Sequence, residues 1–116
     1  MVKLPDFDDL QKIIDEIRDL EVEVGIAKIR IKDVENAIVR ESVTNPKFFM
    51  NGKAPSMAYV ESTLKFSGID GELLPAREAL VKLEADLEHK KLTLDLMNSI
   101  IAVWRTEQAN QRRSEL

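Results

Sequence analysis

The chain contains no cysteine, so it has no disulfide framework and no thiolate chemistry. Aromatic residues are 5% of its 116 residues. Glycine and proline number four each, too few for a loop-rich fold. One histidine, His89, stands in the charged stretch "LEHKKL", where a solvated side chain is the simplest reading. There is no HExxH pair, no cysteine cluster and no calcium loop, so no metal or cofactor is expected. "NGKAPS" contains Gly-Lys but lacks the upstream glycine and following hydroxyl of a phosphate loop. No apolar run nears the roughly 20 residues of a membrane span. The opening "MVKLPDFDDL" turns acidic at once, unlike a secretory leader. An enzyme is not expected: the many carboxylates fall on the outer positions of heptad helices, where they are solvated.

What the chain has is apolar residues at 44%, charge at 33%, and a regular spacing between them. Leu10, Ile13, Ile17, Leu20, Val24, Ala27, Ile31, Val34 and Ile38 follow one another at alternating intervals of three and four. That is a coiled-coil seam. Pro5 and Asp6 suit a helix start, and Asn45-Pro46 stops the helix. Leu73, Ala76, Leu80, Leu83, Leu87, Lys90, Leu94, Met97, Ile101 and Trp104 repeat the pattern, with only Lys90 out of character. A lysine there either packs its stem and sends its ammonium to water, or fixes register and oligomer number. Between the seams, Ser56 can cap a short helix that Gly68 stops.

The expected fold is therefore all-α and a single helical domain. A long helix covers about 6–44, a loop 45–55, a short helix about 56–67, and a second long helix about 71–111. Charge orients the pair. Residues 6–23 hold eight acids against two bases, while 89–113 hold five bases against two acids. An antiparallel hairpin sets the acidic start beside the basic end, which favours register more than stability.

Each long helix carries a second apolar stripe: Val22, Ile26 and Ile29 on the first, Leu92, Leu96 and Val103 on the last. Either the short helix folds back over part of it, or copies of the chain associate through it. Uncovered apolar area of this size marks an interface, and the expectation is a homo-oligomer.

The aromatic residues gather in the irregular middle. "FFMNGKAPSMAYV" puts Phe48, Phe49 and Tyr59 beside Lys53, with Lys47 just before and Arg40 two helical turns earlier. Residues 46–68 carry three lysines against one glutamate. Cations track phosphates and rings stack bases, which is what single-stranded nucleic acid requires. The other reading makes Phe48 and Phe49 a cap on the hairpin end. Met57, Val60, Leu64 and Phe66 are assigned to the core.

A long helix, the aromatic turn "KFFMNGK", the helix start "PSMAYVES" and a last helix with a late Trp resemble the UvsY-type recombination mediators of tailed phages. The resemblance covers roughly residues 30 to 110, and its approach to the turn, "IVRESVTNPKFF", is less basic than the family's and contains a proline. It implies an oligomer that binds single-stranded DNA and helps load a RecA-like recombinase onto strands covered by single-strand-binding protein. Arg40, Lys47 and Lys53, with Phe48 and Phe49, would then meet the DNA, in the cytoplasm of the host cell. The rival class is a coiled-coil scaffold, adaptor or assembly chaperone whose aromatic loop grips protein.

Overall fold

A computed structural model describes residues 3–115. The chain is all-α: two long helices packed antiparallel, with a short helix between them in sequence. Helix α1 spans Phe7–Glu41. A single 3-10 turn follows at Pro46–Phe48. The middle helix begins as α2, Met57–Tyr59, continues through a π-helical stretch, Val60–Leu64, and closes as α3, Lys65–Ser67. Helix α4 spans Leu73–Glu115.

Local chemistry sets these limits. The Asp6 carboxylate accepts from the Asp9 N–H at 2.9 Å, capping α1. The Asn45 side chain accepts from the Lys47 N–H at 3.1 Å and opens the turn that Pro46 begins. Ser56 Oγ accepts from the Tyr59 N–H at 3.2 Å. Gly68 ends α3 at φ +82°, a left-handed geometry that glycine adopts without penalty. Helix α1 stops three residues short of the expected 44, at the turn of Ser42–Thr44. Helix α4 runs on past the expected 111.

The chain divides into two compact units. The first comprises residues up to Val22 together with those from Glu84 on; the second is Glu23–Leu83. In the first unit, Ile13 is buried, and Leu10, Ile17, Leu20, Leu87, Leu94 and Met97 are half-buried. Asp9 and Lys12 lie with Met97, and Glu16 with Lys90, which gives the antiparallel sense. The heptad break at Lys90 has an explanation: its ammonium meets the Glu16 carboxylate at 2.6 Å, each side chain about a third exposed. Lys91 meets Glu21 at 3.6 Å. The lysine thus serves register, and its stem can still pack.

The hydrogen bond from Lys90, then the charges of Lys90 and Lys12, hold the Glu16 carboxyl below its ordinary value of 4.5 against the opposing effect of burial. A depressed carboxyl contributes stability above that ordinary value and loses it as pH falls through the lower folded one. Wild type should therefore lose melting temperature between pH 5 and pH 3. Lys90→Leu should hold or raise the melting temperature at pH 7 and lose less of it over that interval. Thermal melts at the two pH values check this; an equal loss in both proteins would remove Glu16–Lys90 as the acid-sensitive contact.

The second unit holds the larger core. Ile38, Phe48, Val60, Leu64 and Leu73 form one buried cluster, with Val39 and Ile69 packed against it. Each such side chain contributes about 1.5–3 kcal/mol by leaving water. Val60 is fully buried. The π-helical stretch turns both Val60 and Leu64 inward. Arg77 joins three elements of this unit. It donates to the carbonyls of Phe66 at 2.8 Å and Lys65 at 3.1 Å, closing the exposed end of α3. It also meets Glu35 of α1 at 3.3 Å and lies 4.7 Å from the Phe66 ring centre.

Candidate nucleic-acid interface

The turn between α1 and the middle helix lies wholly in the second unit, and it separates the two neighbouring rings. Phe48 closes the 3-10 turn and enters the core, 5% exposed, against Ile38, Val60, Leu64 and Leu73. It takes the capping place that the sequence offered as one of two readings, and its faces are closed to a base. Phe49 remains half-buried. The chain changes conformation between them: Phe48 is the last residue of the 3-10 turn, and the Phe49 backbone is extended, at φ −72° and ψ 143°.

Beyond Phe49 the chain makes a two-residue hairpin. Met50 and Lys53 exchange backbone hydrogen bonds of 2.8 and 3.1 Å. Asn51 and Gly52 between them have φ +54° and +76°. Positive φ at both central positions defines the type I′ turn that Asn-Gly favours. The tip is thus a defined hairpin turn, with Met50, Asn51, Gly52 and Lys53 all exposed.

Arg40 is exposed in the last turn of α1, Lys47 in the 3-10 turn and Lys53 at the hairpin. Among the described residues none of the three makes an ion pair. The Lys47 ammonium stands 5.3 Å from the Phe48 ring centre. Its charge also reaches Glu72, whose carboxyl is held below its usual range, chiefly by the hydrogen bond from the Asp70 N–H. The Glu72 carboxylate accepts from Asp70 at 2.8 Å and from Ile69 at 3.1 Å, so it is engaged in ordering the link into α4. Arg40, Lys47 and Lys53 are thus three exposed cations of the second unit, and Phe49, next to Lys47 and Phe48 in sequence, is its half-buried ring.

Two residues assigned to the core stand outside it. Met57 and Phe66 are 55% and 56% exposed. Of the three residues linked by helical spacing, Val60 and Leu64 are buried and only Met57, the first residue of α2, is left outside. Phe66 is turned out to meet Arg77. Arg77 carries no signal in the sequence, where it reads as one more charge on a charged helix.

The second apolar stripe is bare in both units. In the first, Val22, Leu92, Leu96 and Val103 are exposed; in the second, Ile26 and Ile29 are. Their exposures run from 43% to 62%. Within the second unit, the middle helix leaves Ile26 and Ile29 exposed. Among the described residues no helix is long and apolar enough to cross a membrane, and no cluster of three or more acidic, histidine or cysteine side chains is placed to hold a metal.

Comparison with known proteins returns no match, whether to a family model, a curated protein or a solved structure.

Proposed function

We propose that this chain is a non-enzymatic recombination mediator of the UvsY type, self-associating and binding single-stranded DNA. Copies associate through the stripe of Val22, Ile26, Ile29, Leu92, Leu96 and Val103. Each copy presents Arg40, Lys47, Lys53 and Phe49 to the strand. One such site is weak, because two or three phosphate contacts give little affinity at physiological salt. Several sites on one assembly multiply the effect through local concentration. The bound assembly then helps a RecA-like recombinase load onto strands covered by single-strand-binding protein. The acidic start of α1 offers a basic partner a surface of opposite charge.

One observation carries this reading. With Phe48 in the core, Arg40, Lys47 and Lys53 are exposed and make no ion pair among the described residues, and Phe49 is half-buried. Gripping a protein would depend mainly on Phe48 and Phe49, and binding DNA on the lysines. The scaffold or adaptor reading keeps one support: Met50 and Met57, 54% and 55% exposed beside the turn, are adaptable apolar side chains of the sort that grip peptides.

Salt separates the two. A labelled single-stranded oligonucleotide, titrated at low and moderate salt, should bind wild type at low salt and lose affinity as salt rises. Absence of binding, or binding indifferent to salt, would leave the adaptor reading.

A further inference from the structure

In the second unit, α1 and α4 leave open space between them. Ala27 on α1 and Ala76 on α4 line a groove of about 290 Å³, walled by Ile31, Val34 and Leu73. Both alanines occupy seam positions, where a longer side chain would fill the gap. A second opening of about 350 Å³ shares Ala27 and Arg30 with the first and is bordered by Ile26 and Glu23. Charges of opposite sign stand on the first groove's rim, Arg30 and Glu72. Among the described residues Arg30 makes no ion pair.

We propose that this groove receives a second copy of the chain, whose Ile26 enters as a knob while its Arg30 reaches the Glu72 carboxylate of the first. The proposal rests on the self-association put forward above and says where the copies meet in this unit. Its support is self-complementarity. Ile26 is 43% exposed and stands beside the groove on its own helix, so one surface carries both knob and hole. A two-fold axis then satisfies both at once, because each copy gives what the other receives. The rim charges follow the same rule: an arginine and a carboxylate on one patch form two ion pairs across the axis. A nucleic acid does not suit this groove. Its floor is aliphatic, and its single cation, Arg30, is offset by Glu72.

The test is solution mass by sedimentation at several concentrations. Wild type should run above the 13.2 kDa of one chain. Ala27→Leu puts a branched side chain into the protein's own groove; it should keep its helicity and fall toward 13.2 kDa. Ile26→Ala removes the knob and leaves the groove open; it should raise the dissociation constant by about tenfold or more. Arg30→Glu sets like charges against each other and should act in the same direction. If Ala27→Leu loses helicity, Ile26→Ala and Arg30→Glu decide. A wild type that associates, with variants that keep its mass, would overturn this placement and leave self-association standing. A wild type at the mass of one chain would remove self-association itself.

Discussion

Phe48→Ala should destabilise the protein by about 3–5 kcal/mol, the usual cost of emptying a buried phenylalanine site. Phe49→Ala should cost much less. The ring of Phe48 is 5% exposed and packs in one cluster with Ile38, Val60, Leu64 and Leu73. Its removal leaves a cavity between α1, the middle helix and the start of α4, three elements held together in the second unit mainly by that cluster. The Lys47 ammonium near the ring also loses its aromatic partner. Urea unfolding followed by circular dichroism measures the cost. Hydrogen exchange locates it: protection should fall in Met57–Ser67 and in the last turns of α1 before it falls elsewhere. A Phe48→Ala protein within about 1 kcal/mol of wild type would mean that the core closes without the ring, and the division of labour between Phe48 and Phe49 would fall.

The second large effect concerns DNA. A Lys47→Ala/Lys53→Ala protein should lose most of its affinity for a single-stranded oligonucleotide while keeping its mass and helicity. Both ammonium groups are exposed, and neither takes part in an ion pair among the described residues. Removing them therefore breaks no such ion pair, and only Lys47 gives up a contact with a core ring, that of Phe48. Each phosphate contact on a single strand contributes about 0.7 to the slope of log affinity against log salt. Two lost contacts should lower that slope by roughly 1.4 for each engaged subunit. Phe49→Ala should also weaken binding, by the roughly 1–3 kcal/mol of one stacked base, with little change in the slope. Titrations of the three proteins at several salt concentrations give both quantities. A lysine variant that binds like wild type would dismiss the cations from the site.

The helices were legible because their signal is local and repeated. Alternating intervals of three and four name most of the inward residues of α1 and α4, although Val34 and Trp104 of the two seams are exposed; Asp6 marks the start of α1, and Ser56 and Gly68 the limits of the middle helix. The C-terminal limit was harder: after Trp104 the sequence is polar and carries no period, yet α4 continues to Glu115. The middle segment resisted for a different reason. Two adjacent phenylalanines outside a regular element have no periodicity to sort them. The 3-10 turn at Pro46–Phe48 does so, and its geometry depends on packing against residues far along the chain. In the middle helix, Val60 and Leu64 are buried as their spacing expected, while Met57 at its start and Phe66 after the π-helical stretch are exposed. Arg77 was invisible because its partners are main-chain carbonyls of another helix. The groove at Ala27 and Ala76 was half legible: both alanines were in the seams, but only the fold brings them to the same opening.

The central claim is that the chain works as an assembly on single-stranded DNA, and the solution mass of wild type with and without an oligonucleotide tests it most directly. Sedimentation at low salt should give a species above 13.2 kDa for the protein alone. Adding the oligonucleotide should give a heavier complex holding several chains per strand, and moderate salt should dissolve that complex while leaving the protein assembly in place. A protein that runs as one chain, or an assembly whose mass the oligonucleotide does not change at low salt, would contradict the account.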